Sequence, residues 1–137
     1  MQHYSHLATA TNILWKLIEA NGHDPEVLYR NVGINPELLN TPGARISYTL
    51  VNRIWAETTA IIDDPCFGLK AHKYWHPSYF HALGYAWLAS HTLRDALNRF
   101  VRYLRIVSEK IFLTLVDEPD GFTLISSYEV LGMRIPA

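Results

Sequence analysis

An α+β fold, mostly helical with a small antiparallel sheet at the C-terminal end, is what this sequence predicts, and three observations carry the prediction. Apolar residues recur at helical spacing as far as Val107. Capping residues, prolines and glycines divide that stretch into short segments. After Ser108 the period changes to two in KIFLTLVDEPDGFTLISSYEVLG, whose runs of Ile, Phe, Leu, Val and Thr read as strands. The 137 residues are the size of one domain, expected to span 1–137. A chain of that length can bury roughly two thirds of its unfolded surface.

The elements follow in order. Between Thr9 and Ala20, Ile13, Leu14, Leu17 and Ile18 keep helical spacing, and Asn21-Gly22 stops the run. Asp24-Pro25 and Asn35-Pro36 each set a capping side chain before a proline at the first helical position. Free amides are satisfied there and no helical N–H is lost. The stretch DPEVLYRNVGINPELLN therefore reads as helix, turn, half-helix. A DNA-reading helix-turn-helix is disfavoured, because the second helix is short and carries Glu37 and Asn40 where several exposed basic or amide side chains are wanted.

Thr41-Pro42-Gly43 breaks the chain, and Ser47 is the expected cap of a helix reaching about Ile62. Its core face is Leu50, Val51, Ile54, Trp55, Thr58, Ile61 and Ile62, with Asn52, Ala56 and Thr59 opposite. Asp63-Asp64-Pro65 restarts a helix through FGLKAHK, and His76-Pro77 starts another that lasts to Ser90, with His76 at the bend. Phe80, Leu83, Trp87 and Leu88 cover one side of segment 77–90, and Ala82, Ala86 and Ala89 cover the other. A helix apolar all round is expected to be enclosed on every side.

Thr92 caps the next helix, with Leu93, Ala96, Leu97, Phe100, Leu104 and Val107 in one stripe and Arg94, Asp95, Asn98, Arg102 and Arg105 on the far side. Glu118-Pro119-Asp120-Gly121 joins the two β runs, Asp-Gly being the hairpin signal near 110–130. A lone hairpin is marginal in water, so further strands or a helical cover are expected.

Composition excludes several functions. Twelve Lys and Arg against 13 Asp and Glu give a net charge of -1, which offers no overall attraction to a phosphate backbone. Cys66 is the only cysteine, so neither an internal disulfide nor a thiolate metal cluster can form. That usage fits a reducing compartment and a cytoplasmic location. The N-terminus MQHYSHLATATN lacks the features of a signal peptide, and no apolar run is long enough to span a membrane.

Chemistry finds little foothold. His72 and His76 are spaced as two metal ligands on a helix would be, but the bend at Pro77 separates them and no denser ligand signature follows. His81 among aromatics could be an axial haem ligand, although a core histidine bonded to backbone is the commoner meaning. Cys66 lies in an early helical turn with no identifiable base beside it. Gly22, Gly33, Gly43, Gly68 and Gly84 are scattered and build no phosphate loop. No enzyme, metal or cofactor is expected. What remains is a surplus of four Trp and eight Tyr, whose apolar bodies and polar tips suit a pocket wall or a subunit interface.

Several motifs occur together in order: Arg45-Ile46-Ser47, Trp55, the Asp-Pro-x-Phe-Gly-Leu run from Asp64 to Leu69, Leu83 to Ala86, Ser90 to Leu97, and Arg102 to Arg105. In this order they resemble the effector domain of AraC-type transcription regulators, in the arabinose-binding-type N-terminal branch that includes ornithine-utilisation regulators. The resemblance covers nearly the whole chain. It implies a module that binds a small-molecule effector or a partner subunit, as a homodimer, and passes the result to a DNA-binding half.

Regulators of this type continue past the hairpin into the rest of the effector domain and two helix-turn-helix units. The chain is accordingly expected to be a fragment or a truncated relative, contacting DNA only through a C-terminal domain absent here. The mostly helical pattern differs from the cupin-barrel arabinose sensor, so the role is carried over and not the sugar. Side-chain chemistry supplies the candidate contacts: Tyr74, Tyr79 and Tyr85 as walls, His76 and His81 as hydrogen-bond donors, and Arg102 for a carboxylate. The alternative is a ligand-free dimerisation or domain-contact module whose aromatics fill core and interface.

Overall fold

In the computed structural model the described residues are 3–130 and 133–136. Strand β1 (Ser5–Leu7) pairs antiparallel with β2 (Arg45–Ser47), His6 opposite Ile46. Between them the chain runs through a 3-10 turn (Ala8–Thr11), α1 (Asn12–Ala20), α2 (Pro25–Val32) and a second 3-10 turn (Pro36–Asn40). Both expected caps form. Asp24 Oδ1 accepts from the amides of Glu26 at 2.9 Å and Val27 at 3.4 Å, and Asn35 Oδ1 accepts from Glu37 N at 3.1 Å. Gly33, with φ of 89°, closes α2 in a left-handed conformation that any side chain would strain.

Helix α3 (Tyr48–Ile61) leaves directly from β2. Ser47 does not cap it through its side chain. The strand pairing aims the first helical amide elsewhere, and Tyr48 N donates to Tyr4 O at 3.0 Å. The buried stripe is also narrower than the sequence implies: Val51, Ile54, Thr58 and Ile62 are buried, while Trp55 and Ile61 are each 38% exposed. Val51, Ile54 and Ile62 form the larger core with Leu14, Leu17 and Ile18 of α1 and Tyr29 and Val32 of α2. Tyr29 is fully buried, and its hydroxyl donates to Thr11 O at 2.9 Å. Burial pushes that phenol well above its ordinary pKa.

The segment after Pro65 is a 3-10 run, Phe67–Lys73, and the expected helix 77–90 is two pieces. A 3-10 turn (Pro77–Phe80) meets α4 (Ala82–Leu88) at His81, whose φ of 52° and ψ of -136° are rare for a side-chain-bearing residue. This break resets the helical phase. Only Leu83 and Gly84 of α4 are buried, and Tyr85 and Leu88 stand 54% and 59% exposed. The expectation of a segment enclosed on every side is therefore corrected. Gly84 accounts for the corner: a Cβ there would lie 2.0 Å from Pro77 O, so only glycine lets the two backbones come this close.

Thr92 caps α5 (Leu93–Tyr103) as expected, its Oγ1 accepting from Asp95 N at 3.1 Å. The stripe is again thinner than expected. Leu93 is 59% exposed and Ala96 is the buried residue of the helix, while Leu104 and Val107 reach the core from the turn beyond it. A second, smaller core gathers Leu7, Ala10, Leu83, Leu104 and Val107, with Phe80, Phe100, Ile111 and Leu113 packed against it.

Strands β3 (Ile111–Glu118), β4 (Gly121–Val130) and β5 (Met133–Pro136) form an antiparallel sheet with β4 in the centre. The third strand meets the need of the hairpin for further pairing. Glu118 pairs with Gly121, so Pro119-Asp120 forms the turn. Its φ angles are not positive, which suits proline at the second turn position and glycine at the fourth, and Asp-Gly does not occupy the tip. Arg94 of α5 pairs with Asp117 and lies 5.1 Å from the ring centre of Phe122, fixing one sheet face against the helix. Among the described residues, no helix is long and apolar enough to cross a membrane.

Candidate functional site

Strand β1 has two neighbours. On one side is β2; on the other Leu7 N donates to Val107 O at 2.7 Å, Glu109 N donates to Ser5 O at 3.1 Å, and His6 forms an isolated antiparallel bridge with Ser108. Residues directly opposed across such a bridge send their side chains to the same side. The N-terminal strand thereby sets His6 beside Ser108 at the junction of the two cores.

Arg45 locks that junction. Its Nε donates to Ser5 Oγ at 2.6 Å, Nη1 to Ile106 O at 2.9 Å and Nη2 to Ser5 O at 3.3 Å. Ser5 in turn donates from Oγ and N to Glu109 Oε2 at 2.7 and 2.6 Å, which holds the Glu109 carboxyl below its usual range.

A cavity of about 440 Å³ opens where these elements meet. Its walls are Ala10, Ile13 and Leu14 from the first helical stretch, Trp55 from α3, Ala71 and Phe80 from the 3-10 segments, and Leu104, Val107 and Ile111 at the root of β3. The polar residues Thr11, His6 and Ser108 complete the lining. Thr11 Oγ1 is already committed, donating to Ala8 O at 2.8 Å. His6 Nδ1 and Ser108 Oγ are buried without a hydrogen-bond partner, and Ser108 is only 1% exposed.

Two buried polar atoms left without partners are costly, about 1–3 kcal/mol for each such group. Burial, and secondarily the nearby Arg45 charge, lowers the His6 pKa to about 4, so the ring is neutral at pH 7. Neither atom bonds the other, and no carboxylate lines the cavity to orient the imidazole. The arrangement offers an apolar binding space and no paired nucleophile and base.

The other openings differ. A polar cleft of about 460 Å³ is lined by residues including Lys16, Glu26, Arg30 and Tyr79. Arg30 is paired there with Glu26 and Lys16 with Glu19, each at 2.9 Å, while Glu37 Oε2 accepts from Asn35 Nδ2 at 3.4 Å. Beside it, Thr9, Asn12, Asn40, Ser78, Tyr79 and His81 border a smaller pocket of about 240 Å³.

Of the six contacts expected from sequence, Tyr79 and His81 come together in that smaller pocket. His76 is adjacent and exposed, its ring 6.0 Å from that of Tyr79, with Nδ1 held by Ser78 Oγ at 2.7 Å and Ser78 N at 3.2 Å. Tyr74 packs half-buried against the larger core, Tyr85 stands out from α4, and Arg102 lies exposed over the Tyr103 ring at 5.4 Å. These three border neither the small pocket nor the apolar cavity.

The family model described as the arabinose-binding domain of AraC transcription regulators, N-terminal, matches residues 22–135. The chain is also similar to the ornithine utilization regulator of Pseudomonas aeruginosa, at 28% identity over 103 residues. That match covers 75% of this chain and 30% of the relative, so the chain spans under a third of that protein's length.

Proposed function

Since the chain belongs to the arabinose-binding domain family of AraC transcription regulators, we propose that it is an effector-sensing regulatory domain. It binds a small molecule in the cavity bounded by β1, α1, α3 and the root of β3, and it controls an attached DNA-binding domain. The observation that carries this reading is an apolar space of ligand size, about 440 Å³, lined by residues of both cores. The family is a class of regulator domains and not of enzymes, and the proposed role is binding in the cytoplasm, without catalysis.

The relative's name concerns ornithine. The apolar cavity here has no acidic side chain to meet an ammonium group, so the sensing role is carried over and the amino acid is not. The test is the stabilisation of the folded chain by a panel of amino acids, sugars and lipids, in wild type and in the variants Ala71→Leu and His81→Ala. A ligand that binds only the folded state raises Tm by mass action. Loss of the response in Ala71→Leu alone supports the apolar cavity. Loss in His81→Ala alone moves the site to the pocket shared by Tyr79 and His81.

A second reading, contact with another copy or domain, is favoured by the apolar residues left on the outside of α4, α5 and the turn that follows α5. Tyr85, Leu88, Leu93, Tyr103 and Ile106 are all 42–59% exposed. Isolated exposed apolar residues are ordinary, but a group rimmed by charges suits an interface. Sedimentation of wild type and Leu88→Glu decides it: a dimer that dissociates in the variant supports a homodimer through this surface.

A further inference from the structure

We infer that the cleft between the end of α5 and the root of β3 is a second binding site, which takes a small carboxylic acid with an apolar body. Arg102 and Arg105 hold its carboxylate. The site is separate from the cavity proposed for sensing, and its case does not rest on that role.

Most arginines of the helical region are already engaged. Arg30 and Arg94 pair with Glu26 and Asp117, Arg45 donates to Ile106 O, and Arg99 donates to Ala86 O. Arg102 and Arg105 differ: both are exposed, and among the described residues neither forms an ion pair or donates a hydrogen bond. Arg102 lies over the Tyr103 ring at 5.4 Å. Stacking of that kind engages the face of the guanidinium and leaves the N–H groups, which lie in its plane, open to an anion. Glu109 feels the Arg105 charge without pairing with it, and its Oε2 is taken by Ser5.

Solvated arginines near a helix C-terminus are ordinary. What sets these two apart is that they border one cleft, of about 210 Å³, together with Val101 and Leu104 from their own segment and Ile111 and Leu113 from β3. No Asp or Glu lines it. Two like charges three positions apart repel each other, and an anion between them relieves the repulsion. A carboxylate suits the planar fork of a guanidinium, while the apolar side chains meet a hydrocarbon body.

The space equals roughly seven water volumes, which is room for one ring or a short branched chain. Leu104 and Ile111 also line the larger cavity, so the two spaces share a wall. An acid held in the cleft rests against residues that the cavity uses.

The test is equilibrium binding of benzoate, acetate, benzyl alcohol and inorganic phosphate to the full chain at neutral pH, followed by amide NMR shifts. The variants are Arg102→Gln with Arg105→Gln, and, as a control that removes two exposed cations outside the cleft, Arg53→Gln with Lys73→Gln. Benzoate should bind with a Kd of about 1 mM or tighter, about tenfold tighter than acetate, which lacks the ring, or benzyl alcohol, which lacks the charge. The Arg102→Gln, Arg105→Gln chain should lose about tenfold or more in benzoate affinity, and the control should stay within about twofold.

Benzoate affinity unchanged in the cleft variant, or lowered equally in the control, overturns the site. Shifts centred outside residues 101–113 overturn it too. Acetate or phosphate binding as tightly as benzoate overturns the ligand class and leaves a patch for anions in general; benzyl alcohol binding as tightly removes the arginines from the account. Absence of saturable benzoate binding in wild type at about 10 mM overturns the inference.

Discussion

The body built from β1 to α3 and the region from Pro77 onward are written in similarly apolar sequence, yet they pack to different depths. In the first, Leu14, Leu17, Ile18, Tyr29 and Ile54 are all at most 1% exposed. In the second, α4 and α5 leave Tyr85, Leu88 and Leu93 more than half exposed, and β4 shows Leu124 and Ile125 at 42% each. The difference shows that apolar content sets how much can be buried, while chain breaks set how much is. Caps at Asp24 and Asn35 keep the early helices in phase with one core. The break at His81 turns α4 so that one of its apolar sides faces outward.

The comparison is broken most directly by equal truncations in the two regions. Leu17→Ala should cost about 2–5 kcal/mol, since a fully buried leucine leaves a cavity in a packed core. Leu93→Ala should stay within about 0.5 kcal/mol, as expected for a residue that is 59% exposed. Urea midpoints of the two variants measure this, and equal losses would mean that the later region is as deeply packed as the first.

The seam between the regions should be sensitive to acid. His6 titrates near 6.5 in the unfolded chain and at about 4 in the folded one. Above pH 6.5 both forms are neutral. Between pH 6.5 and 4 the unfolded chain takes up the proton and the folded chain does not, so stability falls as pH falls through that window. The full effect is up to about 3 kcal/mol, reached near pH 4. His6→Phe should flatten the profile between those limits; an unchanged slope would assign the acid sensitivity to other groups.

The smallest expected effect sharpens the comparison. Asp24→Ala and Thr92→Ala each remove a helix cap, one in each region, and each should cost about 1 kcal/mol. Equal losses in urea mean that both regions unfold as one unit. A loss confined to Asp24→Ala means that α5 opens separately, before the body does.

Local features were legible in the sequence, and the features imposed by distant packing were not. The caps at Asp24, Asn35 and Thr92 depend on neighbours a few residues away, and the change of period after Ser108 is visible along the chain itself. The corner at His81 depends on Gly84 meeting Pro77 at a separation that no residue alphabet announces. The pairing of His6 with Ser108 joins residues far apart in the chain, through one bridge that neither local pattern encodes. His6 sat in a stretch read only for the absence of a signal peptide, and Ser108 marked the place where the period changed. The aromatic surplus pointed toward Tyr74 to Tyr85 because tyrosine and tryptophan are conspicuous. The buried, unpartnered polar atoms belong to a histidine and a serine that composition does not single out.

Ile111 belongs to two things at once, the cavity wall and the first rung of β3. No hinge or spacer intervenes between what fills the space and the eight-residue strand that projects from it. Such a strand is about 26 Å long, so a tilt of about 5° at its base swings the far end by about 2 Å. Under the proposed sensing role, ångström-sized adjustments around a guest would thereby be geared up into a displacement that a neighbouring surface can feel.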